Sequence, residues 1–342
     1  MIPKFAGSTL ARLIPTHPGA FRLFLAMLVF VHHFSRLGLG SYAVMVFFVL
    51  SGFWVETMWE RKYRTTRRPY LTYIVSRFWR LMPVMLLVSA LMLAARWAMG
   101  MLPGDLVQND PVNMIVSSFV LLGYAWLPVA PVGPAWSLDI EMQFYLLAPL
   151  IAVVVAGNRY KLFVALSAIG SLAWALAGLP LSLGNYLVFF VAGMAAARGG
   201  WQPSAKAAGL SAGLTGAVAL LLIVSPWRDL ILGGAHRGPL FIYNEHISAV
   251  LALLTLPFAI FTVRQPSDPG DRMMADLSYV IYLLHAIAVL WFVQVDGPFL
   301  ARLQVAAVSF VVVPALSWLI WRYFDRPINR ARDRWVRSRI VG

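Results

Sequence analysis

Arg22, His32 and His33 lie inside Phe21–Ser35, a run that otherwise reads as a membrane-spanning helix. Ionisable groups are costly in lipid, so within such a run they face the bundle interior and serve a function. The chemistry open to them is anion binding at the guanidinium and proton exchange at the imidazoles. Eleven positions separate Arg22 from His33. At about 100° per residue that is three turns plus about 20°, roughly 16 Å along the axis. The two share a face, whereas His32 points about 80° away from Arg22. Spacing therefore selects His33 as the companion of Arg22.

Three further sets of residues carry potential chemistry. Arg77 and Arg80 stand three apart at the start of an apolar run and share a helix face. They suit a phosphate-bearing ligand, and they also read as part of the basic signature of a cytoplasmic loop. Trp136-Ser137-Leu138-Asp139-Ile140-Glu141 opens another run. Its two carboxylates fall on different faces, so at most one shares the pocket of His33 easily. Glu141 is the deeper, and Asp139 sits where the helix dipole favours an acid. Ser278, Tyr282 and His285, spaced i, i+4 and i+7, form a polar stripe on an apolar helix. A stripe of this kind points inward, to line a tunnel or to tie helices together. Asn244, Glu245 and His246 begin another run, with His236 and Arg237 in the loop before it; they read as solvated surface groups or as contacts for an external substrate.

These groups need a membrane scaffold. The chain is 60% hydrophobic and 12% charged, with a mean hydropathy of +0.74, against about half apolar and a quarter charged in a soluble domain. An all-α polytopic membrane protein is expected, one domain over 1–342. At about 20 apolar residues per span, ten spans fall near 20–37, 42–58, 81–99, 136–156, 160–178, 184–197, 206–224, 245–263, 276–293 and 299–321. The shorter apolar piece at 113–127 reads as re-entrant or interfacial. Gly209 and Gly213 form a GxxxG spacing that permits close helix packing. The tail from Arg322 is strongly basic.

The net charge of +14 is accounted for by the positive-inside rule rather than by a nucleic-acid partner. With both termini cytoplasmic, 23 Lys and Arg fall inside, from Lys4 and Arg12 to the Arg61–Arg68 loop and the tail. Five (Arg36, Arg96, Arg228, Arg237 and Arg302) fall outside. Arg61–Arg68 reads as topology and anionic-lipid contact. The apolar N-terminal run reads as an uncleaved first span rather than a signal peptide. The absence of cysteine excludes disulfides and thiolate chemistry. No zinc-ligand pairing, phosphate-binding Walker sequence or GxSxG elbow is present, so neither a bound metal nor a bound cofactor is expected.

Taken together the motifs resemble the acyltransferase 3 family, the integral-membrane acyltransferases that O-acylate bacterial surface glycans and related acceptors. Arg22-x10-His33 is similar to its first-helix motif, and Phe47-Phe48-Val49-Leu50-Ser51-Gly52-Phe53 to its second-helix signature. Arg77-Phe78-Trp79-Arg80 fits its R-x-x-R element. Trp136-Ser137-Leu138-Asp139-Ile140-Glu141-Met142-Gln143-Phe144-Tyr145-Leu146 resembles its WSL-x-x-E-x-x-FYL stretch. Leu277 to His285 resembles its ninth-helix pattern, and Tyr323-Phe324-Asp325-Arg326-Pro327 its closing acidic-x-Pro element, with Asp where Glu is usual. The resemblance covers roughly residues 18–330 and implies a stand-alone form without an SGNH domain.

It further implies a bacterial inner-membrane enzyme that takes an acyl group, acetyl by default, from cytoplasmic acyl-CoA. The acceptor would be a hydroxyl of an extracytoplasmic glycan or lipid-linked saccharide. Arg77, Arg80 and Arg22 would bind the donor, and His33 would act as general base. Glu141 would orient the imidazole or balance its charge. Ser278, Tyr282 and His285 would line the tunnel or donate to the oxyanion. An acyl-histidine intermediate is the variant mechanism. The rival reading is a secondary transporter of a glycan or organic anion, which the lack of an internal repeat disfavours.

Overall fold

The structure is a computed structural model, and it describes residues 15–101, 106–155, 159–234, 237–295 and 297–341. Lys4, Arg12, the Gly157-Asn158 loop, His236 and Gly342 lie outside the described residues. The chain is all-helical: among the described residues there is no strand, only the isolated bridges Leu37–Leu232 and Thr66–Ile340.

Among the described residues thirteen α-helices follow in order. They are α1 (Pro18–Phe34), α2 (Gly40–Arg61), α3 (Pro69–Ala98), α4 (Pro111–Val120) and α5 (Trp136–Val155). Next come α6 (Tyr160–Leu176), α7 (Leu183–Arg198), α8 (Ala205–Val224), α9 (Asn244–Leu254) and α10 (Leu256–Val263). The last are α11 (Pro269–Val293), α12 (Phe299–Ile320) and α13 (Arg326–Arg337). Six of them, α2, α3, α5, α8, α11 and α12, are long and apolar enough to cross a membrane. A seventh is gained if α9 and α10, bent by 51° at Thr255, form one broken span. Pro257, which has no N–H to donate, falls at that break. The expected first, fifth and sixth spans correspond to α1, α6 and α7, of 17, 17 and 16 residues. α4, at 10 residues, is about 15 Å long and too short to span.

The peripheral helices are packed inside out. The buried residues of α6 are Ser167 and Ser171, those of α8 are Ala208, Ser211 and Thr215, and those of α12 are Ser309, Val313 and Ser317. Their leucines, among them Leu166, Leu172, Leu214, Leu220 and Leu316, are exposed. In water this would forfeit apolar burial; in lipid the leucines need no protein partner, and small residues let helices approach. This arrangement marks a multi-pass membrane protein.

α2 is the central helix, with residues from Tyr42 to Val55 buried on nearly every side. Its closest approach is to α7. A Cβ added at Gly52 would fall on the carbonyl of Phe190, and one at Gly193 on that of Val49. Gly209 and Gly213 of α8 have nothing within 4 Å of such a Cβ. The close packing expected from their spacing is therefore found between α2 and α7, one glycine from each, and not at α8. Arg198, at the end of α7, closes this pair of helices on Glu56 (2.7 Å) and Glu60 (2.8 Å) of α2.

α1 and α11 pack side by side and run parallel. Asp271, in the first turn of α11, accepts the N–H groups of Gly19 and Ala20 at 2.9 Å each. It satisfies two of the free donors that open α1. At the other end His33 lies against His285, the ring centroids 5.2 Å apart and the planes tilted by 36°. Gly19–Asp271 and His33–His285 share the offset of 252 positions (271 − 19 and 285 − 33), so the two helices stay in register over their shared length.

Candidate active site

Five helices meet around a cavity of about 280 Å³. Arg22 enters it from α1, Ser51 and Trp54 from α2, Arg77 and Arg80 from α3, Ser137 and Glu141 from α5, and Ser278, Tyr279 and Tyr282 from α11. Six of the eight site residues expected from sequence, Arg22, Arg77, Arg80, Glu141, Ser278 and Tyr282, thus line one space. The other two, His33 and His285, lie together outside it.

The three arginines differ in their surroundings. Arg80 donates through Nη1 to Asp325 (3.2 and 3.3 Å) and through Nη2 to Asp276 (3.2 Å), and it lies over the ring of Tyr279. Asp325 is buried and also accepts from Asn329 at 2.7 Å. It belongs to a π-helical turn, Trp321–Asp325, that joins α12 to α13; such turns recur at functional sites. Arg77 has no carboxylate partner among the described residues. Its guanidinium sits 5.5–5.6 Å from the ring centroids of Tyr63, Tyr73 and Tyr145, a cation–π box. Arg22 likewise makes no ion pair among the described residues, and its Nε is buried without a hydrogen-bond partner. Two guanidinium groups without a direct ion pair in an apolar bundle are expensive, and one carboxylate, Glu141, shares the cavity with them.

Glu141 is the one carboxylate lining the cavity. Its Oε1 accepts from the hydroxyls of Ser51 (2.6 Å) and Tyr145 (2.5 Å), and no hydrogen bond links it to His33 among the described residues. Asp139 faces elsewhere, as the two-residue spacing requires. It is buried and accepts from the Ala125 N–H and from Gln143, each at 2.9 Å, so it fixes a loop rather than the cavity. Glu245 accepts from Tyr186 at 2.5 Å. Asn244 holds the Gly38 and Leu230 carbonyls (2.9 and 2.8 Å), and so does structural work.

At the end of the cavity away from Arg77 and Arg80, the hydroxyls of Tyr282 and Ser137 are 2.7 Å apart, and Tyr282 donates to the Pro134 carbonyl at 3.0 Å. Ser278 donates to the Ala275 carbonyl (2.7 Å), so its hydroxyl is held in its own helix. One turn beyond Tyr282 stands His285, fully buried, with ring centroids 6.1 Å apart. His285 Nδ1 lies 3.2 Å from the Ile281 carbonyl, while its Nε2 is buried with no partner. His33 and Phe30 flank it, with ring centroids at 5.2 and 5.6 Å. The His32 ring meets the His33 ring edge to face, centroids 4.8 Å apart, and its Nδ1 contacts the Leu37 carbonyl at 3.0 Å. The site is thus an arginine-lined cavity leading, through Tyr282, to a histidine pair. Sequence reasoning found both ends but missed Asp276 as a partner of Arg80 and the pairing of His33 with His285. It held Asp325 only as part of a motif.

A family model described as an acyltransferase domain matches residues 19–322, from α1 to the π-helical turn. No curated protein and no solved structure matches the chain. The match covers most of the chain, which therefore belongs to this acyltransferase family and is a multi-pass membrane enzyme that moves groups other than amino-acyl groups from a donor to an acceptor.

Proposed function

We propose that this member of the acyltransferase family takes an acyl group, acetyl by default, from acyl-CoA on the cytoplasmic side. It passes the group to a hydroxyl of a glycan or lipid-linked saccharide on the far side of a bacterial inner membrane. The observation that carries the reading is the pair of arginines without a direct ion pair, Arg22 and Arg77, lining a cavity that ends one turn short of two histidines. Guanidinium groups not tied into ion pairs suit the phosphates of CoA. The positive-inside count supports a cytoplasmic location for that end of the cavity, and the parallel course of α1 and α11 is consistent with two helices entering from one side.

In this reading the phosphates meet Arg77 and Arg22, and Arg80 is the anchored member of the trio. The thioester extends past Glu141 towards Ser137 and Tyr282. His33 takes the proton of the acceptor hydroxyl as its oxygen attacks the thioester carbonyl. The tetrahedral intermediate collapses with loss of the CoA thiolate, and His33 returns the proton to it. The products are an ester and free CoA. Glu141, held by Ser51 and Tyr145, balances cationic charge in the cavity and at the imidazolium. The family match favours transfer over the transporter alternative, which would leave the thioester intact.

Inverted membrane vesicles supplied with acetyl-labelled acetyl-CoA on the exposed cytoplasmic face test the reading. It expects free CoA outside and labelled saccharide within the lumen. An intact thioester pool under conditions where the protein is folded and present would overturn it. A thiol reagent reads CoA release without background from the enzyme, which has no cysteine.

A further inference from the structure

His285 is a fully buried imidazole whose hydrogen-bonding capacity is half used. A backbone carbonyl can only accept, so contact with the Ile281 carbonyl makes Nδ1 the protonated nitrogen and leaves a lone pair on Nε2. An unpartnered acceptor in an apolar bundle is costly, so its neighbours decide its purpose. Phe30 has nothing to donate. The Tyr282 hydroxyl is already engaged with Ser137 and the Pro134 carbonyl. His33 is the remaining ring neighbour, and no hydrogen bond to its ring is found among the described residues.

We infer that His285 is the positioning residue for His33: its Nε2, unpartnered in this structure, is the acceptor that the neighbouring His33 N–H takes up in the working enzyme, which leaves the other His33 nitrogen unprotonated for the acceptor hydroxyl. The inference rests on acyl transfer with His33 as base. In triads a carboxylate fixes the tautomer of the basic histidine. Here Glu141 Oε1 is taken by Ser51 and Tyr145, and a second, neutral imidazole does the task. A neutral acceptor suits lipid better than a buried carboxylate. The matched register of α1 and α11, pinned at the far end by Asp271, keeps the two rings opposed. During turnover the N–H shared with His285 stays in place, while the other His33 nitrogen takes and returns the acceptor's proton.

The test compares His285→Gln, whose amide oxygen can replace the Nε2 acceptor, with His285→Phe, which keeps the ring but accepts nothing. Both are assayed in nanodiscs for acetyl-CoA binding and in inverted vesicles for CoA release and label transfer. His285→Leu serves as the apolar variant if Phe does not give the same monodisperse protein. The apolar variant is expected to lose kcat at least about tenfold with the acetyl-CoA Kd within twofold of wild type, and the Gln variant to recover most of that loss. Wild-type kcat in the apolar variant, or an equal loss in both variants, overturns the inference. Equal CoA release by wild type and His33→Ala would instead remove the reading beneath it.

Discussion

Arg77 and Arg80 stand one turn apart on α3 and line the same cavity, yet only Arg80 is matched by carboxylates. Its partner Asp325 is buried, so removing the guanidinium strands a charge in the bundle. Arg80→Ala is expected to lower the melting temperature in detergent, at a cost of up to about 3 kcal/mol. Arg80→Ala combined with Asp325→Asn should recover part of that loss. A variant as stable as wild type would place Arg80 outside the fold's ion-pair framework.

Arg77 and Arg22 should behave in the opposite way. Each is replaced with less loss of structure, because neither makes a direct ion pair among the described residues. Each replacement should weaken acetyl-CoA binding. At about 1.5–3 kcal/mol per charge-assisted contact, the Kd in nanodiscs should rise by roughly 10- to 150-fold. Lysine at position 77 should restore only part of the affinity, since an ammonium lacks the planar fork and stacks less well among three tyrosines. Unchanged donor affinity in both alanine variants would show that the cavity holds something other than the CoA phosphates.

The α2–α7 crossing gives a stability prediction. Gly52→Ala and Gly193→Ala each drive a methyl onto a backbone carbonyl of the facing helix, which cannot move without parting the helices. Overpacking of this kind costs about 1–3 kcal/mol or more. Gly209→Ala and Gly213→Ala meet open space and should leave thermal stability unchanged or slightly raised. Thermal denaturation of the four variants in one detergent checks the contrast.

Asp271 ties the position of Arg22 to α11. Asp271→Asn keeps an acceptor for the Gly19 and Ala20 N–H groups, and activity should stay near wild type. Asp271→Ala removes it, loosening the start of α1 by about 1 kcal/mol and letting Arg22 drift. The expected result is a higher KM for acetyl-CoA with kcat less affected, read from CoA release.

Much of this was legible in the sequence, for reasons that also explain what was not. Apolar run length located most of the helices, though only six or seven of the ten expected spans are long and apolar enough to cross a membrane; the cost of charge in lipid singled out Arg22, His33, Glu141 and His285, and the shared face at the start of a span singled out Arg77 and Arg80. Helical periodicity assigned each to a face. Periodicity does not say which helix meets that face, so the joining of Arg80 to Asp276 and of His33 to His285, across 196 and 252 positions, could not be read. The glycines show the same limit. A GxxxG pair is visible within one helix, but the close approach of α2 and α7 needs one glycine from each of two helices, Gly52 and Gly193, a pattern with no local signature.

The central claim is that the arginine cavity binds the donor while His33, beyond Tyr282, performs the transfer. The most direct measurement is a paired one on His33→Ala: the acetyl-CoA dissociation constant in nanodiscs, and the rate of CoA release in inverted vesicles. Unchanged binding with transfer abolished is the expected result. Turnover at the wild-type rate would contradict it.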